Sequence, residues 1–181
     1  MKNIELISVI IGIVSVFLTI KQNLLCWVFG LISAVLLTYY FYNVNFYSQM
    51  VLQLVSVGQC AYGWVKWNEV DTKEVTKIGY TKSALCIGIC MVIGIIFTLL
   101  TKTTNNNLLY LDGIGGIIAL LATYLLVKKV IESWWIFMIN NVMLIILCLH
   151  QDMYYIAGYN LLLIILSIAG YKEWKKHLKT T

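Results

Sequence analysis

The amino-acid sequence predicts an all-α integral membrane protein, in which seven transmembrane helices form two parallel three-helix repeats joined by one linking helix. The composition is the first observation: 61% of the 181 residues are hydrophobic and 12% are charged, whereas about a quarter of the residues of a soluble domain are charged. The second observation is that the apolar residues form long blocks. The third is an internal match between the two halves of the chain.

The apolar blocks predict the transmembrane helices one by one. They occupy residues 4–20, 24–43, 46–66, 83–101, 107–127, 133–149 and 153–171. A bilayer core about 30 Å thick requires about 20 apolar residues for each helical crossing, and a chain in lipid must pair its own backbone polar groups, which favours helices. The first three blocks are joined by short turns, whereas the longest polar segment, residues 68–82, precedes the fourth block.

The positions of the lysines predict the orientation of the helices. All 13 basic residues are lysines, and seven crossings place Lys2 and Lys102 on one side of the membrane and the other 11 on the opposite side. Because cytoplasmic loops are enriched in lysine and arginine, we expect the N-terminus outside the cytoplasm and the C-terminus inside it. The net charge of +5 then reflects membrane topology, and no nucleic-acid partner is expected.

An internal repeat divides the helices into two groups. When the chain is shifted by 107 residues, residues 4–67 align with residues 111–174 without a gap, and 13 of the 64 positions are identical. The identities that such an apolar composition does not explain are Lys21 with Lys128, Trp27 with Trp134, Tyr47 with Tyr154, Gly63 with Gly170, and Trp67 with Trp174.

The length of this shift also predicts the symmetry of the two copies. The shift spans four crossings, so both copies run in the same direction, as in transporters whose repeats are related by an axis along the membrane normal. We expect a single membrane domain, residues 1–181, with a first repeat at 4–67, a linking helix at 83–101 and a second repeat at 111–174.

No pattern typical of an enzyme or a metal site is present. His150 and His177 lack the spacing of a paired-histidine metal site, and the sequence contains no phosphate-binding loop or nucleophile elbow. The five cysteines lie inside apolar blocks, where a thiol packs as a small apolar group. We therefore expect neither catalysis nor a bound metal or cofactor.

Polar residues near the middle of the predicted helices are the candidate site, because polar groups are costly at that depth. Ser33 lies at mid-depth in the second helix, and its repeat partner Asn140 lies at the same depth in the sixth helix, beside Asn141. Gln53 in the third helix and its repeat partner Asn160 in the seventh lie slightly toward the outer side of this depth, and Gln59 lies deeper in the third helix. The alternative is that these amides only join helices by hydrogen bonds.

Aromatic residues near this depth are candidates for stacking on a flat or cationic ligand. Trp135 and Tyr159 are the residues that we expect to reach the site, with Tyr39 or Tyr40 as alternatives. For Trp67 and Trp174, near the ends of the third and seventh helices, we expect a place in the interfacial aromatic belt. No carboxylate lies at mid-depth in any block, although ion-coupled transporters commonly carry one there, so uncoupled movement is favoured.

Four segments resemble the PnuC family of bacterial vitamin transporters, over about residues 4–176. They are KQNLLCWVFGLISAVLL, QCAYGWVKW, ESWWIFMINNV and IAGYKEW. The shared features are the basic residue and Trp-x-x-Gly after the first helix, Tyr-Gly-Trp at the end of the third, and Gly-Tyr-x-x-Trp at the end of the seventh. The resemblance implies the three-plus-one-plus-three fold of full-length SWEET transporters and a location in the bacterial inner (plasma) membrane.

The resemblance also implies a substrate and a mechanism. The substrate would be an unphosphorylated vitamin, either nicotinamide riboside or thiamine, with riboflavin as an alternative within the family. Movement would be facilitated diffusion, with a cytoplasmic vitamin kinase trapping the substrate, and a homotrimer would be consistent with the family. The riboside transporters carry W-x-x-x-W in the sixth helix, whereas here Trp134 is followed by Trp135, and position 138 is Met138. This departure leaves nicotinamide riboside and thiamine both open.

A seven-helix receptor or sensor is the alternative from a different functional class. A retinal-binding photosensor needs a lysine deep in its last helix. The lysine closest to that description is Lys172, at the end of the seventh block, so the sequence favours a transporter.

Overall fold

The part of the chain that the structure describes forms seven α-helices. The computed structural model describes residues 2–43, 47–69, 74–100, 109–150 and 154–178. The helices are α1 Lys2–Ile20, α2 Leu25–Asn43, α3 Tyr47–Glu69, α4 Tyr80–Leu100, α5 Leu109–Val127, α6 Glu132–His150 and α7 Tyr154–Lys175. Each helix coincides with one predicted apolar block to within a few residues, so the all-α prediction is confirmed. In the described ranges, β-structure is limited to two isolated bridges.

The outer surface of the helices is apolar, as expected for contact with lipid. Within the described ranges, three helices are long and apolar enough to cross a membrane by length and composition: α2, most of α4, and α6. The helices α1 and α5 contain shorter apolar stretches. Every helix exposes large apolar or aromatic side chains, among them Ile10, Val35, Val55, Ile93, Tyr124, Ile146 and Ile165. Polar side chains such as Ser33, Thr98 and Asn140 are buried instead, which is the distribution that a bilayer solvent favours.

Six of the helices form a closed ring. In the part of the chain that the structure describes, α2 packs between α1 and α3, and α6 packs between α5 and α7. The ring is closed where α3 packs on α5 and α7 packs on α1. The fourth helix lies outside the ring, against α5 and to a small extent α6. We call α1–α3 the first triplet and α5–α7 the second triplet.

The α1–α2 and α5–α6 turns have the same geometry at positions 107 residues apart. Gln22 and Lys129 both have φ of 52°. The Gln22 N–H donates to Thr19 O at 2.9 Å, and the Lys129 N–H donates to Leu126 O at 2.9 Å. A left-handed residue that satisfies the last carbonyls in this way is a common helix C-cap, although glycine is preferred there. The same backbone solution therefore occurs in both triplets.

Both turns lie at one end of the bundle, which we call the lysine-rich end. It also contains the C-termini of α3 and α7 and the N-terminus of α4. Lysine side chains mark it: Lys21 lies over the Phe17 ring, and Lys128 lies over the Tyr124 ring, each 4.6 Å from the ring centroid. A hydrogen bond and a Coulomb interaction with Tyr124 raise the pKa of Lys128 above its usual value. This end therefore carries positive charge at neutral pH.

Four tryptophans form the core at the lysine-rich end. Trp27, Trp67, Trp134 and Trp174 are all buried in one hydrophobic cluster, and we call them the tryptophan quartet. The expectation of an interfacial belt was wrong for Trp67 and Trp174, because they are 6% and 0% exposed. The indole N–H of each donates to a backbone carbonyl of the other triplet, so these rings are hidden from the lipid interface.

Candidate functional site

Most of the polar residues predicted near mid-depth are buried inside the ring. Ser33, Asn140, Asn141 and Asn160 are all buried, and Gln53 and Gln59 are partly buried. A buried amide is costly unless it is hydrogen-bonded, so the partners of each amide decide what it can do.

Asn140 presents a carbonyl oxygen without a donor. Its Oδ1 is buried and receives no hydrogen bond from the residues that the structure describes. A Cβ built on Gly115 of α5 would lie 3.1 Å from this oxygen, so the glycine allows α5 to approach the carboxamide closely. A buried acceptor that is left unpaired costs about 1–3 kcal/mol, and a ligand with an N–H or O–H group would recover this free energy.

Gln59 presents a second acceptor of the same kind. Its Nε2 donates to Leu120 O of α5 at 2.9 Å, which links α3 to α5 across the ring. Its Oε1 is buried and accepts no hydrogen bond from the described residues. Gly115 and Leu120 are five residues apart on α5, so the two carboxamides approach α5 at levels that differ by about 7 Å, given the helical rise per residue. Both amide side chains therefore lie beside the same helix of the second triplet.

Ser33 occupies the position in the first triplet that Asn140 occupies in the second. Its Oγ donates to Ser8 O of α1 at 2.9 Å, and Ser8 is 107 residues before Gly115. The hydroxyl of Ser33 is therefore used between helices, as the alternative interpretation expected, whereas the carbonyl of Asn140 is not. Of these two repeat-related residues, only Asn140, beside α5, therefore keeps an unpaired acceptor among the described residues.

Tyr159 of α7 lies near Ser33 of α2, because both helices flank α1. A Cβ built on Gly12 of α1 would lie 3.3 Å from Ser33 Oγ and 3.9 Å from Tyr159 Oη. The glycine therefore gives α2 and α7 close access to the same point on α1. Tyr159 itself is partly buried.

Three further polar candidates, Asn141, Asn160 and Gln53, lie on α6, α7 and α3. The Asn141 Nδ2 donates to Phe137 O, one turn earlier in α6, at 2.9 Å, so this amide is partly satisfied by its own helix. Asn160 is 4% exposed, and its repeat partner Gln53 is partly buried on α3. All three side chains are therefore buried or partly buried in the bundle.

Trp135 lies away from this group. It is 45% exposed, and its ring packs edge-on against Tyr171 of α7 with centroids 5.3 Å apart. Trp134, one residue earlier, points to a different side of α6 and is buried in the tryptophan quartet. Successive helical residues are separated by about 100° around the axis, so two adjacent tryptophans cannot both face the ring interior.

The tryptophan quartet joins the two triplets at the lysine-rich end. Trp27 and Trp67 form an edge-to-face pair with centroids 5.1 Å apart, and Trp134 and Trp174 form the equivalent pair at 5.4 Å. The two pairs meet where Trp67 and Trp174 are 6.2 Å apart. This cluster was not predicted from the sequence, although the matching of both pairs by the 107-residue shift was a signal for it.

Hydrogen bonds connect the same rings to the opposite triplet. The Trp67 Nε1–H donates to Val127 O at 2.9 Å, and the Trp174 Nε1–H donates to Thr19 O at 3.2 Å. Val127 ends α5, and Thr19 lies one residue before the end of α1. The lysine-rich end of the ring is therefore closed by four packed rings and two hydrogen bonds between the triplets.

The site shows no sign of a metal centre. Among the described residues, no group of three His, Cys, Asp or Glu side chains could hold a metal ion. The acidic side chains that the structure describes, Glu69, Glu74, Glu132 and Glu173, all lie at the lysine-rich end rather than among the amides.

Comparisons with known proteins agree with this architecture. A family model described as nicotinamide mononucleotide transporter matches residues 2–176. The chain is 21% identical to the nicotinamide riboside transporters PnuC of Escherichia coli (strain K12) and of Shigella flexneri, with 94% of this chain and 84% of each relative covered. A crystal structure of the vitamin B3 transporter PnuC superposes with a TM-score of 0.78 at 20% identity, covering 96% of this chain and 81% of that one.

The family match covers nearly the whole chain, and the likeness to the solved structure confirms the fold. A buried group of amides inside a ring of apolar helices is consistent with a path for a polar solute, and the family consists of transporters rather than enzymes. The chain therefore belongs to the PnuC family of membrane transporters.

Proposed function

We propose that this protein carries nicotinamide riboside across the membrane, with the vitamin bound inside the ring next to α5. The observation that supports this most is the pair of unpaired buried acceptors, Asn140 Oδ1 and Gln59 Oε1. Nicotinamide riboside offers matching donors in its carboxamide and its ribose hydroxyls. The relatives in Escherichia coli and Shigella flexneri are named as transporters of this compound.

Aromatic residues would supply the second part of recognition. Nicotinamide riboside carries a cationic ring, and aromatic faces attract such rings. Of the two predicted stacking residues, Tyr159 is partly buried, with its Oη near Gly12 of α1, whereas Trp135 is 45% exposed and packs on Tyr171. We therefore assign the stacking role to Tyr159, with Asn141, Asn160, Gln53 and Ser33 completing the polar wall.

Thiamine is the second candidate substrate. It also carries a cationic aromatic ring and N–H and O–H donors. The observation that favours it is Met138, which stands where the riboside transporters carry the second tryptophan of W-x-x-x-W. Met138 is partly buried, and a flexible thioether can adapt to a different ring.

Transport would be uncoupled and would alternate between two openings. The described acidic side chains lie at the lysine-rich end, whereas an ion-coupled pump commonly needs a carboxylate near the substrate.

The lysine-rich end would face the cytoplasm by the positive-inside rule, in a bacterial inner membrane. The two triplets would rock about the site, and separation of the tryptophan quartet would release the vitamin to a cytoplasmic kinase. A homotrimer would place three such paths side by side.

Uptake by purified protein in liposomes tests the proposal. We expect labelled nicotinamide riboside or thiamine to enter without a proton or sodium gradient, and competition between the two identifies the preferred vitamin. Asn140→Ala should weaken uptake, whereas the matched control Ile139→Ala, on the lipid-exposed face of the same helix, should not. A strict requirement for an ion gradient would overturn the uncoupled mechanism, and equal uptake by both variants would remove Asn140 from the site.

A further inference from the structure

Residues 74–79, which lead into α4, lie across the lysine-rich end, and we call them the strap. The Val75 N–H donates to His177 O at 2.9 Å, just beyond α7. The Thr76 N–H donates to Lys129 O, and the Ile131 N–H donates to Thr76 O, both at 3.0 Å. The strap therefore bridges the α5–α6 turn and the end of α7, and both of these belong to the second triplet.

Glu132 holds the other end of the strap. Its Oε1 accepts the Gly79 N–H at 2.9 Å, and its Oε2 accepts the Ile78 N–H at 3.3 Å. Gly79 has φ of +88°, which glycine tolerates better than other residues, and it turns the chain into α4. Glu132 is 3% exposed, and a buried carboxylate requires such donors. Its counterpart in the first triplet is Leu25, which is 47% exposed and offers no acceptor side chain.

The hydrophobic contacts of Ile78 in the strap are likewise with the second triplet and α4. Ile78 packs on a cluster built from Ile114, Ile118, Ala122, Leu125, Val130 and Ile136. All six belong to α5, α6 or the turn between them, and the remaining partners come from the strap, α4 and the second triplet. In the described residues, no member of this cluster comes from the first triplet.

The fourth helix is fixed to the same body. A Cβ built on Gly94 would lie 2.6 Å from the Ile114 Cα, so the backbones of α4 and α5 are in direct contact. Such small-residue contacts are a common way for membrane helices to pack tightly. The contacts of α4 in the described chain are with α5 and α6, so α4 and the strap both join the second triplet.

One strap residue reaches the junction between the triplets. Val75 is 0% exposed and packs in the cluster that contains the tryptophan quartet. When the quartet separates, the strap must either leave the second triplet or stay with it. Leaving would break five hydrogen bonds and uncover Ile78, whereas staying separates Val75 from the first-triplet side chains of its cluster.

We infer that the second triplet, α4 and the strap form one rigid frame, and that the first triplet is the half that moves during transport. The strap stays on the frame throughout the cycle, and Val75 is the part of the cytoplasmic seal that the frame contributes. Glu132 is the positioning residue that fixes the strap. This inference rests on the proposed alternating transport, but the rigidity of the frame can be measured without it.

A disulfide between the strap and the frame tests whether the strap must detach. Thr76 and Val130 form a β-bridge, and neighbouring chains about 4.8 Å apart fall within the Cα separation of disulfides. Oxidised Thr76→Cys/Val130→Cys should take up vitamin at a rate within about twofold of its reduced form, since no moving contact is locked. Loss of uptake on oxidation, with recovery on reduction, would overturn the inference. Oxidised unsubstituted protein controls for the native cysteines.

Thiol labelling tests the seal. A charged, membrane-impermeant thiol reagent should label Thr76→Cys at a constant rate, because Thr76 is exposed. It should label Val75→Cys faster when vitamin is being transported, because the first triplet then moves away from the buried side chain. An unchanged rate at position 75 in protein that transports vitamin would contradict the role of Val75.

Hydrogen exchange separates this inference from the proposed function. If the frame is rigid, the amides of Val75, Thr76 and Ile131 exchange at a common rate, and Glu132→Ala accelerates all three together. Glu132→Gln, which keeps a carbonyl acceptor, should retain more of the protection. Independent exchange of the three amides would refute the frame even if uptake is observed. If the three amides exchange at a common rate but the protein transports no vitamin, the proposed function is refuted and the rigid frame is not.

Discussion

Adding one methyl group to Gly170 should destabilise the lysine-rich end of the bundle. An alanine Cβ at this position would lie 2.5 Å from Cη2 and Cζ2 and 2.6 Å from Cζ3 of the Trp134 indole. The indole cannot move aside easily, because it is 2% exposed and packs edge-on against Trp174 with centroids 5.4 Å apart. Inserting a methyl group into such a well-packed core typically costs about 1–3 kcal/mol.

Thermal unfolding of the detergent-solubilised protein measures this cost. For a chain of this size, 1 kcal/mol corresponds to a shift in Tm of about 2–4 °C, so Gly170→Ala should lower Tm by about 2–12 °C. Gly158→Ala is the matched control on the same helix, because a Cβ there meets nothing within 4 Å. That substitution should leave Tm unchanged or raise it, since alanine restricts the unfolded chain by about 0.4–1 kcal/mol.

The first triplet provides an independent copy of the experiment. A Cβ on Gly63 would lie 2.5 Å from Cδ2 of Trp27, whereas a Cβ on Gly58 meets nothing within 4 Å. Gly63→Ala should therefore lower Tm, and Gly58→Ala should not. If the crowded and open positions give the same shift in Tm, the packing of the tryptophan quartet is not the cause, and the reasoning is refuted.

Three further substitutions address individual contacts. Trp67→Phe keeps an aromatic ring but removes the donor to Val127 O, and should cost about 0.5–1.5 kcal/mol of stability; calorimetry is the check, and no loss would mean that the hydrogen bond contributes little. Asn140→Ala should weaken vitamin binding by about 1–3 kcal/mol, or about 5- to 150-fold in Kd, and an unchanged titration would exclude contact. Gln59→Met removes both the bond to Leu120 and the free acceptor, so both Tm and affinity should fall; a loss of Tm alone would assign Gln59 a structural role.

The helices themselves follow from local sequence. The sixth apolar block, residues 133–149, corresponds to α6 at Glu132–His150, and the limits of the other blocks agree with their helices to within a few residues. This works because a chain in lipid has almost no alternative to the helix once about 20 apolar residues occur in succession. The sequence also placed Asn140 at mid-depth, because depth depends only on the count of residues along a helix.

The rotation of each helix about its axis does not follow from the local sequence. Trp134 and Trp135 are adjacent in sequence, yet one is buried in the tryptophan quartet and the other is 45% exposed. An amphipathic pattern would normally reveal which face is buried, but in lipid both faces are apolar. For the same reason Trp67 and Trp174 were expected at the interface and instead lie in the core.

By itself, the sequence determined the number and limits of the helices and the family of the protein. Only the tertiary structure decided which polar atoms remain unpaired and which parts are joined. The segment of residues 68–82 reads as a polar link, yet Val75 within it is fully buried, and Glu132 holds the backbone of Ile78 and Gly79. Hydrogen bonds between residues more than 50 positions apart leave no local pattern, because they depend on where the intervening helices bring the two segments.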